Sequence, residues 1–179
     1  MAQSVAGGEL TVPEGRSGCP INMTMELLGD RWSFVVLRDV MFGGWTRFRE
    51  LHTNSLEGIA SNVLASRLAK LTDAGLLERR PHPGHKQKVD YTLTEAAIQL
   101  VPVIIELGAW GSRHLPTTPE LSIRAQVLAD GGPEMRDRFM GELRTIHIHR
   151  RPRGDGGVLA ELDDQYERVS ASEEFRRPG

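Results

Sequence analysis

The sequence predicts a mainly helical fold with a small two-stranded β wing: a winged helix-turn-helix, dimeric, with a helical C-terminal extension. Three observations predict it. Two helical segments are joined by the turn-forming run HTNSLEGI, an alternating strand pair follows around Pro83-Gly84, and a further helix carries apolar residues on several sides. At 179 residues and 39% hydrophobic content, one core plus an extension is expected rather than two full domains. The expected boundaries are a flexible N-terminal arm over 1–18, the winged helix-turn-helix and dimerisation domain over 19–114, and a helical extension with a disordered tail over 115–179.

Residues 1–18 are rich in Gly, Pro and small polar types and hold too little apolar surface to offset the entropy of ordering. Structure is expected from Cys19. Pro20 suits a first helical position, with Ile21, Met25 and Leu28 spaced to bury one face and Gly29 as the stop. The next helix carries Trp32, Val35, Val36, Leu37 and Val40 around most of its circumference and ends at Gly43-Gly44, so it belongs at the centre of the core. Arg47–Leu51 and Ala60–Ala74 form the helix-turn-helix. In the second of these Val63, Leu64, Leu68 and Leu71 point inward at helical spacing. Ser61, Asn62, Ala65, Ser66, Arg67 and Lys70 are left on the opposite side, where short side chains allow close approach to a groove.

Gly75 ends that helix. LLERRPHP then runs extended, and Val89, Tyr91 and Leu93 alternate with polar residues on the return strand, which gives a hairpin whose tip reads HPGHKQK. From Thr94, a good cap, a long helix kinked at Pro102 carries Ile98, Leu100, Val101, Val103, Ile104, Leu107 and Trp110. So much apolar surface on a small domain calls for a second subunit, with Met25, Leu100, Val103, Ile104, Leu107 and Trp110 as the dimerisation set. After TTPEL two more helices are expected, striped by Met135, Phe139, Leu143 and Ile146, and by Leu159, Leu162, Tyr166 and Val169. The tail is expected to be disordered from Ser170.

The net charge of -2 is unevenly spread: Arg31 to Lys88 holds ten basic and five acidic residues, hence +5, against -7 elsewhere. A local basic excess suits a face that neutralises phosphates. Arg47, Arg49, Lys70, Lys86 and Lys88 are the candidate phosphate contacts, with His85 a weaker one. Asn62 is a candidate for reading adenine, and Ser61 and Ser66 for base edges or phosphates. Arg67, beside Leu68, can instead lay its stem on the domain and pair with an acidic neighbour. Apolar runs fall short of a membrane span, no secretory signal pattern opens the chain, and the single cysteine permits no internal disulfide, so a cytoplasmic location is expected.

Other chemistry finds little support. No Gly-rich phosphate loop or nucleophile elbow occurs, so neither a cofactor nor enzymatic activity is expected. His147 and His149, two apart on a helix, point in different directions, so no metal site is expected. DDQYE reads as a solvated helix face. Trp32, Phe34, Trp45, Phe48 and Trp110 are core residues by default and alternatively line a pocket for an aromatic effector.

The blocks CPI..MELLGDRW..VVLRD, RFREL, VLASRL..L..AGLLERR, KVDYTLTE and Trp110-Gly111 together resemble the HxlR family of winged-helix bacterial transcription regulators, over about residues 19–114. The resemblance implies a homodimer, related in fold to the MarR group, that binds double-stranded DNA at a palindromic operator and represses or activates nearby genes. It also makes Cys19 a candidate thiol sensor for an oxidant or electrophile effector, because several relatives use a cysteine at this Cys-Pro position. Two positions depart from the family pattern. Ala60 stands where Ser or Thr is common and Asn62 where a basic residue is common, so the cap of that helix comes from Ser61 or from nothing. These departures, with Ala65 and the long extension, motivate the alternative of a winged-helix protein-interaction module without specific DNA readout.

Overall fold

Residue types with fixed backbone preferences set most of the helix limits. The computed structural model describes Leu10 and residues 17–82 and 85–172, without the side chains of 85–87. Of the expected arm over 1–18, residues 1–9 and 11–16 lie outside the described residues, as do the hairpin tip at 83–84, the side chains of His85 and Lys86, and the tail from 173. Helix α1 (Pro20–Leu28) begins with proline after the extended Cys19, and α2 (Ser33–Gly43) ends at Gly44, whose φ of 65° is left-handed and costs glycine little. Helices α3 (Phe48–Asn54) and α4 (Ser61–Asp73) follow, then strands β1 (Leu77–His82) and β2 (His85–Leu93) and the short α5 (Glu95–Ile98).

The strands pair antiparallel with Leu77 opposite Leu93, Arg79 opposite Tyr91 and Pro81 opposite Val89. Three bonds tie this hairpin to the helices. The Tyr91 amide donates to the Thr46 carbonyl at 2.7 Å, the Thr94 hydroxyl donates to the Gly75 carbonyl at 2.8 Å, and the Ala97 amide donates back to that hydroxyl at 3.3 Å. Thr94 therefore caps α5, as its sequence position predicts, while closing the base of the wing. The core of this part collects Leu28, Leu37, Val40, Met41, Leu51, Leu64, Leu68, Leu71, Leu76, Leu93 and Ile98, all buried.

The chain divides into two compact units between Ile98 and Gln99. The second contains α6 (Val101–His114), α7 (Pro119–Asp130), α8 (Gly132–Leu143), a π-helical turn at Arg144–Ile148 and α9 (Val158–Ala171). Helix α6 packs on α7, α7 on α9, and α8 on α9. The α6/α7 approach is tight enough that a Cβ on Gly108 would lie 2.8 Å from that of Ala125. Leu128, Phe139, Leu143, Leu159 and Leu162 form its interior.

Several expectations need correction. The helix from Thr94 is two helices rather than one kinked rod: Pro102 has no N–H for the carbonyl four residues before it, and the chain turns at residues 99–100 before α6 starts. Helix α6 falls in the second of the two compact units. Ile21 (74% exposed) and Met25 (53%) lie outside the core, and α1 instead buries Leu27 and Leu28. The extension holds a third helix, α7, whose start is marked by Thr118-Pro119 but whose apolar residues form no single stripe. Ser170 and Ala171 are the last turn of α9 rather than tail. In DDQYE, Asp163 is half-buried and pairs with Arg124 at 2.8 Å and with Arg153, while Arg124 also sits 4.5 Å over the Tyr166 ring.

Candidate nucleic-acid interface

Helix α4 is built to be held from inside and bare outside. Leu64, Leu68 and Leu71 are fully buried on one side, whereas Ser61, Asn62, Ala65, Ser66 and Ala69 are exposed on the other. Its N-cap is Ala60, which offers no side-chain cap, and Ser61 is already the first helical residue. Of the two alternatives for the cap, the one realised is none, so the first amides of α4 keep their hydrogen-bonding capacity at the end nearest Asn62.

The turn before α4 is held by Arg38 of α2. Its guanidinium grips both Glu57 oxygens at 2.7 and 2.8 Å and Asp39 at 2.6 Å. Burial would weaken the Arg38 charge, but the two carboxylates outweigh it and raise its pKa. Glu57 is shifted down chiefly by its bond to Arg38, while burial dominates at Asp39 and pushes it up despite the same partner. Gly58, with φ 63°, makes the bend, and buried Ile59 pins the approach to α4.

Asp30, a residue the sequence analysis did not single out, organises the other end. One carboxylate oxygen accepts from the amides of Trp32 and Ser33 at 2.9 and 3.0 Å, opening α2. The other accepts from the Ser33 hydroxyl at 2.6 Å, Arg67 at 3.0 Å and Lys70 at 2.9 Å. Burial opposes the charge, but these donors outweigh it and hold the carboxyl well below its usual range. The Asp-x-x-Ser spacing before an apolar helix was the available signal.

The remaining predicted residues are distributed as follows. Arg49 is exposed at the start of α3; Arg47 is the N-cap of that helix, and its side chain and amide both engage Glu50. On the wing Lys88 and Arg79 are exposed, Arg80 pairs with Glu78, and the His82 Nδ1 lies 2.7 Å from Asp90. Cys19 is exposed at the N-cap of α1, where its side chain makes no cap bond. Trp32, Phe34, Trp45 and Phe48 are half-buried with local ring contacts: Arg31 sits 5.0 Å over Trp32, and Phe48 stacks on His52.

In the second unit Val103, Leu107 and Trp110 share an exposed side of α6, each 48–52% accessible, while Leu100 and Ile104 are half-buried. Among the described residues no group of three or more His, Cys, Asp and Glu is placed to hold a metal ion, and no helix is long and apolar enough to cross a membrane. His147 is buried and His149 exposed.

A tri-helical core, a helix-turn-helix whose second helix faces outward and a two-stranded wing define the first unit as a winged helix-turn-helix. Residues 27–119 match the HxlR-like helix-turn-helix family, just over half of the chain, and the chain belongs to that family. It is 38% identical over 103 residues to an HTH-type transcriptional regulator of Mycobacterium bovis, covering 58% of this chain and 61% of the relative. The chain thus spans about three fifths of that relative's length. The HTH-type transcriptional regulator YodB of Bacillus subtilis is 35% identical over 100 residues, 55% of this chain and 88% of YodB. Among solved structures, that of PA1607 is similar at 33% identity with a TM-score of 0.52, covering 58% of this chain and 70% of that one.

Proposed function

We propose that this protein is a sequence-specific DNA-binding transcriptional regulator acting in the cytoplasm as a homodimer on a palindromic operator. The observation that carries the proposal is the outer face of α4, where Ser61, Asn62, Ala65 and Ser66 are exposed beside an uncapped helix start, a shape and chemistry suited to a major groove. Exposed Arg49, Arg79 and Lys88 supply charge for the phosphate backbone, together with Lys86 by its sequence position. The exposed Val103, Leu107 and Trp110 of α6 are offered as a dimer surface, and Met25 of α1 as a dimer contact of its own unit. In such a dimer the two α4 helices enter half-sites one or two turns apart, at roughly 34 Å per turn. Exposed Cys19 supports a thiol-directed effector, and comparing operator release by wild type and Cys19→Ser after a thiol reagent tests that.

In a mobility-shift titration at physiological salt, Lys88→Ala weakens binding to specific and random duplexes alike, whereas Asn62→Ala relaxes base preference by about 1–3 kcal/mol. Equal affinity of the wild type for selected and scrambled duplexes rejects specific readout. The capture of Arg67 and Lys70 by Asp30 favours a second reading, a protein-interaction module, which predicts no salt-dependent duplex binding.

A further inference from the structure

Resting on the DNA-binding reading, we propose that Asp30 is a specificity-determining positioning residue that holds the Arg67 and Lys70 cations of α4 against the start of α2 and withholds both from DNA phosphates. Arg67 and Lys70 lie three apart on α4, so both reach one point, and Asp30 occupies that point with a single oxygen 3.0 and 2.9 Å from them. The same carboxylate cannot swing away, because its other oxygen is fixed by two amides of the α2 start and Ser33 holds it from a third direction. Both cations are also recessed: their side chains are 25% and 30% accessible and flank the buried Leu64, Leu68 and Leu71, while the exposed Ser61, Asn62, Ala65, Ser66 and Ala69 are uncharged and the exposed charge at the helix end, Asp73, is acidic.

The consequence concerns discrimination. Attraction of a cation to phosphate is independent of sequence, so each one added to α4 strengthens binding to every duplex. With both tied to Asp30, whose single charge offsets one of their two, α4 meets DNA chiefly through Ser61, Asn62, Ala65 and Ser66, and most of the sequence-independent pull is left to residues outside α4. Asp30 thereby raises the ratio of specific to random affinity at some expense in total affinity.

The test compares full-length wild type, Asp30→Asn, the Arg67→Gln/Lys70→Gln pair, and all three substitutions together. Each is titrated with a duplex selected by the wild type and with a scrambled duplex, between 50 and 200 mM salt. Asparagine keeps an oxygen for the Trp32 and Ser33 amides but puts an NH2 donor where the other oxygen accepts from Ser33, Arg67 and Lys70, so it removes the charge and that acceptor together. Expected for Asp30→Asn is a salt slope steeper by about one to two units of log K per log salt, scrambled-duplex affinity up by at least about threefold at the low-salt end, and a smaller specific-to-random ratio. The pair of glutamines leaves the wild-type slope unchanged, and the triple variant returns to it. An unchanged slope in a folded Asp30→Asn protein overturns the inference, as does a flatter slope in the glutamine pair, which decides alone should Asp30→Asn fail to fold. Absence of salt-dependent duplex binding by the wild type overturns instead the DNA-binding reading beneath it.

Discussion

The winged unit and the unit that follows it turn different chemistry to water on one helix each, α4 and α6. In the first, the buried or half-buried charges have partners close by: Arg38 with Glu57 and Asp39, Asp30 with Arg67 and Lys70. The face of α4 turned to water is small and polar. In the second, a histidine is buried with its Nδ1 unpaired, and the outer side of α6 shows Val103, Leu107 and Trp110 to solvent. An uncharged polar face on a rigid helix suits a polar groove whose edges accept and donate hydrogen bonds. A broad apolar one has nothing to gain from water and suits another protein surface.

The sharpest way to break this contrast is to cut the same residue type in both units. Leu64 is 0% exposed and Leu107 52%. Leu64→Ala should cost about 4 kcal/mol in a urea titration through loss of burial and an unfilled cavity, whereas Leu107→Ala should change protomer stability by less than about 0.5 kcal/mol. The effect of Leu107→Glu should appear in sedimentation, as a shift to monomer. Comparable destabilisation by the two alanine variants in an isolated protomer would erase the distinction.

Next in size is the acid response of the second unit. Burial pushes His147 down from its ordinary 6.5 to about 4, with no hydrogen bond found for its Nδ1. The unfolded chain therefore takes up a proton near pH 6.5 that the folded chain refuses until about pH 4. Stability is complete above the first value and falls by about 3 kcal/mol on the way to the second. Urea unfolding followed by Trp110 fluorescence, with Trp32 and Trp45 replaced by Phe, should show this loss in a His147 background and lack it in His147→Leu. A curve independent of residue 147 would show the histidine to be hydrated. Asp30 also loses its contribution on acidification, beginning where the unfolded carboxyl protonates in the ordinary carboxylate range and continuing below it, because its folded-state pKa is lowered.

The smallest expected effect sharpens the view of α4 itself. Helix α3 has Glu50 closing its first turn, while α4 starts on Ala60 without a side-chain cap. Ala60→Ser should raise the melting stability by about 1 kcal/mol. If the amides at that end matter for phosphate, it should do so without improving duplex affinity. No stabilisation would mean that those amides are already satisfied.

Much of this was legible in the chain because it is local. Pro20, Gly44, Gly75 and Thr94 act on their own backbone or the next turn, so helix limits and the wing follow from neighbours in sequence. The 3.6-residue spacing of Leu64, Leu68 and Leu71 likewise marked the inner side of α4 before any packing was known. Helix α7 is not legible in the sequence because it packs on α6, α8 and α9 and its apolar residues leave no single stripe. The apolar spacing of Ile21 and Met25 was also misleading, since periodicity reports a face and not what covers it.

By itself, then, the sequence determined the order of elements as far as the wing, the bare small-residue side of α4 and the family, all properties set within a few residues or by pattern. Tertiary structure alone decided which charges are free. Asp30 meets Arg67 and Lys70 across 37 and 40 residues, and Asp163 meets Arg124 across 39. Electrostatic partnership depends on distance in space and on burial, neither of which a linear string of side chains contains.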